Sequence, residues 1–317
     1  PDKQVFTVPI VCLDHGQLET FNLNPETFTM RTRFAPSPTG PMHLGHAYAA
    51  LVAREAANCG DGVFLLRFED IDRSRVRPEY YCLIEEDLQW MGLEWREEPV
   101  RQSDRLEVYS SALTTLEEQG LIYPCFCTRR AIADEVSRMT NAPHGPGGTV
   151  YPGTCRKISA DERAEKIAMK TPHSWRLHSA KAAEICGQLT FRDLIHGVIP
   201  VRADSLGDVV LARRDIATSY HLAVVTDDAE QKITLVTRGE DLLSSTHIHR
   251  VLQNLLGYPE PLYLHHKLVC DEKGNRLATR DKALSLASLR ASGFSRDQLL
   301  ARLPPIPALP RNLTSET

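Results

Sequence analysis

Short apolar runs alternate with segments of helical period along most of the chain, and this alternation is the first guide to its architecture. Arg33-Phe34-Ala35 reads as a short strand and passes into the loop Pro36-Ser37-Pro38-Thr39-Gly40-Pro41. Good helix formers with apolar Leu51, Val52 and Ala56 predict a helix over residues 47–59. Gly60-Asp61-Gly62 stops it, and Val63-Phe64-Leu65-Leu66-Arg67-Phe68 has the apolarity of a buried strand. A second helix is predicted over 77–91, with Gly92 ending it. Strand, helix, strand at this spacing is the βαβ unit of a parallel sheet, whose ligands sit beyond the carboxyl ends of the strands. Residues 122–160 break the rhythm with cysteines and a Pro/Gly-rich loop over 141–153. It resumes with a strand at 208–213, a helix over 218–227, a strand over 232–237 and a helix over 244–256. A strand, a turn at 271–275 and short helices complete the pattern. Residues 1–29 carry no sustained periodicity and are expected to be a disordered extension.

Composition changes this picture little. Of the 317 residues, 42% are hydrophobic and 25% charged, proportions that favour a buried core over disorder. No apolar run approaches the ~18–20 residues a spanning helix needs, so no membrane partner is expected. The formal charge of −4 argues against a coat of phosphate-binding charge but leaves room for one local basic face. The eight cysteines are too sparse for a disulfide scaffold, and Cys12, Cys59, Cys82, Cys186 and Cys270 stand alone. No basic stretch precedes a long apolar segment at the start, so a reduced, cytoplasmic setting is expected.

The chemistry concentrates in the segment from Ala35 to His46. His43-Leu44-Gly45-His46 opens a predicted helix after the first strand, where free N–H donors and the helix dipole suit phosphate. Gly45 lets a nucleotide approach the backbone closely. The two histidines can donate to phosphate oxygens as charge shifts in an in-line displacement, although an isolated H-x-x-H more often only caps a helix. Cys125-Phe126-Cys127, with Cys155 further on, offers three thiolates to zinc, which takes four ligands. His144 or His173 can fill the fourth position, and three free buried cysteines are the alternative.

The segment Arg33-Phe34-Ala35-Pro36-Ser37-Pro38-Thr39-Gly40 with His43-Leu44-Gly45-His46 closely resembles the class I glutamyl-tRNA synthetase family. The resemblance continues through Arg67-Phe68-Glu69-Asp70-Ile71-Asp72, Thr218-Ser219-Tyr220-His221-Leu222-Ala223 and Thr237-Arg238-Gly239-Glu240-Asp241-Leu242, and spans residues 30–303. It implies an α/β fold: a class I aminoacyl-tRNA synthetase Rossmann-type catalytic domain with an inserted zinc-binding subdomain and a short C-terminal helical and loop region. The implied boundaries are 30–121 and 186–260 for the catalytic halves, 122–185 for the zinc-binding and acceptor insertion, and 261–317 for the second ATP-loop region, short helices and Pro-rich tail.

The resemblance also implies a glutamate pocket of Arg33, Ser37, Glu69, Tyr220 and Arg238. Arginine can hold a carboxylate bidentately, Ser37 and Tyr220 can hydrogen-bond, and Glu69 can accept from an α-ammonium. Glu69 or Arg238 alone would read as a surface ion pair; together they favour glutamate over glutamine. The implied ATP site comprises Pro36, Thr39, Gly40, His43, Gly45, His46 and Thr279. His43, His46, Arg276 and Arg280 are the implied catalytic groups, and Mg²⁺ accompanies ATP. A truncated group of the family uses C-x-C with Y-x3-C, which implies Tyr151 beside Cys125, Cys127 and Cys155 as ligands of one structural Zn²⁺.

The family's second phosphate loop, K-M-S-K-S, corresponds here to Arg276-Leu277-Ala278-Thr279-Arg280. Arg276 keeps the first positive charge. Thr279 stands where the second lysine is expected, and Arg280 is the nearest cation to replace it, with Lys273 and Lys282 close by. Loss of one such contact commonly costs about 10²–10³ in rate. Pro304-Pro305-Ile306-Pro307 cannot continue a helix, so the family's helical anticodon reader is expected to be absent. The resemblance is therefore closest to the glutamyl-queuosine tRNA(Asp) synthetases, which implies glutamate, ATP and queuosine-bearing tRNA(Asp) as partners of a monomer. Arg129, Arg130 and Arg156 are candidates for the RNA-facing surface, or for a solvated charged face.

Overall fold

The computed structural model describes residues 6–11, 18–23, 29–58, 62–137, 144–145, 148–149, 151–202, 207–270, 285–307 and 309. Its first half contains β1 (Phe6–Val11), β2 (Leu18–Leu23), β3 (Arg31–Phe34), α1 (Leu44–Ala57), β4 (Val63–Phe68), α2 (Glu79–Trp90), β5 (Val100–Arg101), α3 (Leu106–Glu118), β6 (Ile122–Cys125) and α4 (Arg129–Ser137). Then come β7 (His144–Gly145), β8 (Gly148–Thr149), α5 (Ala160–Ala168), β9 (Ser174–Leu177), α6 (Ser179–Cys186), β10 (Thr190–Asp193), β11 (Gly197–Pro200) and β12 (Val210–Ala212). The rest holds α7 (Tyr220–Glu230), β13 (Leu235–Gly239), α8 (Leu243–Leu256), β14 (Leu262–His266), α9 (Leu286–Ala291) and α10 (Arg296–Leu300).

Two strand groups meet to form the main sheet. β3, β4 and β5 run parallel, and β13, β14 and β10 are also parallel to their neighbours, with β11 antiparallel at the edge. They abut where the Thr234 N–H donates to the Arg31 carbonyl at 3.0 Å and the Arg31 N–H to Thr234 Oγ1 at 2.8 Å. From this seam the chain winds outward through β4 and β5 on one side and through β14 on the other. Such a reversal opens a crevice at the carboxyl ends of the two central strands.

Helix α1 covers the seam, because Ala47, Ala50, Ala53 and Ala57 bury a face small enough for close approach. The Thr32 hydroxyl donates to the Ala53 carbonyl at 2.7 Å and pins β3 to it. The helix begins at Leu44, ahead of the expected residue 47, because the His43 side chain caps it. Gly92 ends the α2 turn at φ +73, a conformation that glycine adopts without a Cβ penalty. Among the described residues no helix is long and apolar enough to cross a membrane.

Two expectations differ from the structure. The strand expected at 208–213 in the catalytic sheet is β12, which instead pairs antiparallel with β9 in a separate sheet of order β12-β9-β6. The small sheet thus takes a strand from beyond residue 185, where the insertion was expected to close. A short apolar run specifies a strand but not its partners. The segment expected to be disordered contains β1 and β2, paired antiparallel from Phe6↔Leu23 to Val11↔Leu18. Its β-branched residues, in the run Thr7-Val8-Pro9-Ile10-Val11, supply the strand propensity.

Candidate active site and metal centre

A cavity of about 780 Å³ opens at the seam. Arg33 to Pro36 reach it from the end of β3, Glu69 from the end of β4, and Thr237 to Gly239 from β13. Ser37, Thr39, Gly40, His43, Gly45, His46 and Tyr220 complete the expected set. Every expected glutamate- and ATP-binding residue that lies among the described residues therefore lines one cavity. Arg276, Thr279 and Arg280 lie outside the described residues. The chain on either side of them reaches the site: Val269 lines the cavity, and Ser285 forms a β-bridge with His43.

The two histidines do cap α1, and the caps fix their chemistry. His43 Nδ1 accepts from the Gly45 N–H at 3.0 Å, and His46 Nδ1 accepts from the His43 N–H at 3.3 Å. With both Nδ1 atoms accepting, the neutral rings carry their protons on Nε2. The rings stack with centroids 3.8 Å apart. Capping thus uses Nδ1, and the expected phosphate donation would use the other nitrogen of the same rings. Gly45 leaves no room for a side chain, since a Cβ there would stand 2.9 Å from His43 Cε1.

The cations of the pocket fall into two kinds. Arg33, 4% exposed, gives Nε and Nη2 to Asp228 at 2.9 and 3.3 Å. Fully buried Arg67 reaches the same carboxylate at 2.7 Å. Burial pushes the Asp228 carboxyl up, but Arg33 and Arg67 outweigh it and hold the group below the ordinary carboxylate range. Neighbouring Asp227 accepts from Gln102, Arg105 and Tyr109, all between 2.7 and 3.0 Å.

Arg238 is different. It is 6% exposed, yet its partners are neutral: His265 at 3.1 Å, Tyr220 at 3.1 Å, His249 at 3.1 Å and Thr246 at 2.6 Å. Burial, followed by the Arg238 charge, holds His249 well below the ordinary histidine value, so the ring stays neutral. Among the described residues no carboxylate pairs with Arg238. A buried guanidinium surrounded by neutral acceptors is a site for an incoming carboxylate. Opposite in charge, Glu69 lines the same cavity; burial raises its carboxyl to about 7, and Arg67 and Arg33 offset only part of that. Thr237 Oγ1 and His266 Nε2 are buried there without protein partners, leaving further polar groups for a ligand.

Sequence reasoning missed Asp228, Thr246, His249, His265 and His266, which set the pocket's electrostatics. One signal was available: Thr226-Asp227-Asp228 places three polar residues in a helix that is otherwise apolar through Leu222-Ala223-Val224-Val225.

A second cluster lies on the small sheet. Sγ atoms of Cys125, Cys127 and Cys155 all fall within 4.8 Å of one another, with Cys127 and Cys155 at 3.4 Å. Tetrahedral zinc with bonds of about 2.3 Å separates its sulfurs by about 3.8 Å, so this donor set fits the ion. The Tyr151 hydroxyl lies 3.5 Å from Cys127 Sγ and accepts the Cys155 N–H at 2.8 Å. Cys155 Sγ accepts the Phe126 N–H at 3.3 Å. His173 is not in the cluster; its Nδ1 lies 3.0 Å from the Thr171 carbonyl. The His144 side chain lies outside the described residues. Among the described residues, Tyr123, Cys125, Tyr151 and Cys155 form a core of four buried residues, which by itself gives the small sheet little support. Of the basic residues considered for RNA, Arg156 is paired with buried Asp208 at 3.0 Å and Arg130 with Asp134 at 3.8 Å.

Comparison with known proteins agrees with this geometry. Residues 29–304 match the family model described as tRNA synthetases class I (E and Q), catalytic domain. A glutamyl-Q tRNA(Asp) synthetase of Rhodobacter capsulatus is 48% identical over 272 residues, covering 84% of this chain and 96% of the relative. One from Nocardia farcinica is 43% identical over 290 residues, covering 90% and 88%. The crystal structure of glutamate-tRNA synthetase from Elizabethkingia anophelis superposes with a TM-score of 0.70 at 30% identity. That match covers 80% of this chain and 53% of the synthetase, so the chain spans about half of that larger protein.

Proposed function

We infer the function from the premise that the chain belongs to the class I tRNA synthetase (E and Q) catalytic-domain family. It activates L-glutamate with ATP and transfers the glutamyl group to tRNA, and the acceptor is queuosine in the anticodon of tRNA(Asp). Arg238 carries the amino-acid assignment: a buried cation whose partners are all neutral fits a side-chain carboxylate and not a carboxamide. Relatives named glutamyl-Q tRNA(Asp) synthetases, matched over most of both chains, support the acceptor.

In the first step an oxygen of the glutamate α-carboxylate attacks the α-phosphorus of ATP, and the bond to pyrophosphate breaks. Glu69 takes the α-ammonium and Arg238 the side-chain carboxylate, with Tyr220 and Ser37 as hydrogen-bonding neighbours. His43 and His46 donate from Nε2 to phosphate oxygens at the N-terminus of α1, where the helix dipole adds to the attraction. Pro36, Thr39, Gly40 and Gly45 shape the nucleotide cleft, and Mg²⁺ accompanies ATP. Arg276 and Arg280 supply the second loop's charge, and Thr279 offers ATP a hydroxyl. A hydroxyl of the acceptor then attacks the activated carbonyl, and AMP leaves. Catalysis is chiefly positioning and charge stabilisation. Zn²⁺ would be held by Cys125, Cys127, Cys155 and Tyr151, and would supply a four-point crosslink that stiffens the small sheet.

Glutamate-dependent ATP–pyrophosphate exchange tests the first step, with exchange expected to fall sharply in Arg280→Ala. Charging of tRNA(Asp) with and without queuosine, beside tRNA(Glu), tests the second. Transfer to tRNA(Glu) alone would overturn the acceptor assignment, and no exchange by folded, zinc-loaded protein would overturn the activity.

A further inference from the structure

Arg238 is held by two chains of imidazoles, one of which ends on a buried carboxylate. Asp193 Oδ1 accepts the backbone N–H groups of Ile195 and His196, each at 2.9 Å. Its Oδ2 accepts the His265 N–H at 3.0 Å and lies 2.6 Å from His265 Nδ1. Across the ring, His265 Nε2 is 3.1 Å from Arg238 Nε. An arginine Nε–H can only donate, so His265 Nε2 accepts and the ring proton sits on Nδ1, directed at Asp193. The second chain runs from Arg238 Nη1 to His249 Nδ1 at 3.1 Å, and from His249 Nε2 to His221 Nδ1 at 3.1 Å. The same logic makes His249 Nδ1 an acceptor and Nε2 its donor.

We propose that Asp193 and His265 are positioning residues that aim the Arg238 guanidinium without neutralising it, and so set the preference for a side-chain carboxylate over a carboxamide. This rests on the reading of Arg238 as the carboxylate-binding cation. A carboxylate in direct contact would satisfy that cation before the substrate arrived, as Asp228 does for Arg33. An imidazole alone would accept equally well but can reverse its tautomer and confront Arg238 Nε–H with a second donor. Asp193, fixed by three backbone N–H groups, removes that choice, because it takes a proton only from Nδ1.

Asp193→Asn keeps the shape and, through its Oδ1, the bonds from the Ile195 and His196 N–H groups, but its amide N–H₂ then faces both the His265 N–H and His265 Nδ1. The ring proton then moves to Nε2, donor faces donor, and the guanidinium is displaced. The expected result by calorimetric titration is a glutamate Kd raised about tenfold or more, with a similar fall in preference for glutamate over glutamine. In exchange assays kcat at saturating glutamate stays within about threefold and the KM for ATP within about twofold, the pattern of lost ground-state binding. His265→Gln, which retains an acceptor oxygen, is expected to bind glutamate roughly tenfold more tightly than His265→Leu, which has none. Asp193→Asn and His265→Leu proteins that bind glutamate like wild type, with unchanged preference, overturn the proposal. So does a loss in which kcat and both KM values move together and glutamine rescues no better than leucine. If wild type binds glutamate but performs no exchange, the activity reading fails while the Kd values still decide this one. A wild type that binds no glutamate overturns both.

Discussion

Gly45→Ala separates the capping role of His43 from its chemistry. The added Cβ would stand 2.9 Å from His43 Cε1 and 3.1 Å from Nδ1, so the ring must move. It is restrained by its 3.0 Å bond from the Gly45 N–H and by the 3.8 Å stack on His46. Movement forfeits the cap, which costs about 1 kcal/mol. Alanine in place of glycine returns up to about 1 kcal/mol of helix propensity, less in a first turn. Fold stability therefore changes by no more than about 1 kcal/mol. The rate is more sensitive, since removing one well-placed donor to a developing charge costs about 10²–10³, or about 2.7–4 kcal/mol. The expected outcome is an exchange kcat lowered about 10²-fold, a Tm within a few degrees of wild type, and glutamate affinity within about threefold, because the Arg238 pocket is untouched. Exchange retained within about threefold would refute the reasoning and leave His43 as a helix cap only.

Glu69 gives a pH dependence whose sign follows from its role. Its carboxyl titrates at about 7, and only the ionised form attracts an ammonium, so glutamate Kd should fall as pH rises through 7 and worsen by up to about tenfold per unit below it. Calorimetry across this range checks it, and Glu69→Gln should flatten the profile while weakening binding throughout. Asp228→Asn leaves Arg33 and Arg67 buried without their shared carboxylate and should destabilise the fold by about 3–5 kcal/mol, measured by denaturant unfolding. Cys155→Ser should lower bound zinc well below one ion per chain and reduce Tm, while exchange at permissive temperature stays within a few-fold, since the cluster is not part of the cavity lining.

What was legible in the sequence was local. The loop from Ala35 to His46, the C-x-C pair and the βαβ rhythm are read within a few residues, because helix caps, glycine approaches and metal-ligand spacing are set by neighbours along the chain. The groups that charge the pocket are not local. Asp228 meets Arg33 across 195 positions, and Asp193 meets His265 across 72. No periodicity announces such a pairing; the first exists only once α7 is brought to β3, and the second only once β10 lies beside β14. The strand β12 shows the same limit, since its run Val210-Leu211-Ala212 suits either sheet and only the register with β9 decides. Tyr151 is intermediate: only the family resemblance implied it as a ligand, and the 2.8 Å bond from the Cys155 N–H to its hydroxyl holds the ring beside the sulfurs.

Under the proposed function, the division among the buried arginines accounts for a pocket that is both stable and selective. Arg33 and Arg67 share Asp228, and Asp227 lies 3.9 Å from Arg67, so these charges are balanced inside the protein whether or not a ligand is present. Arg238 is 6% exposed and, among the described residues, balanced only by ring nitrogens and hydroxyls, so its compensation improves when a carboxylate enters. A carboxamide would bring a dipole where the site calls for a charge, and its N–H₂ would face donors. Were Arg238 paired as Arg33 is, glutamate would have to displace a protein carboxylate before binding, and the advantage over glutamine would largely vanish. If Arg238 receives the side-chain carboxylate as proposed, selectivity depends on which buried cation the fold leaves without a carboxylate, and the neutral imidazoles of His249 and His265 allow Arg238 to remain so.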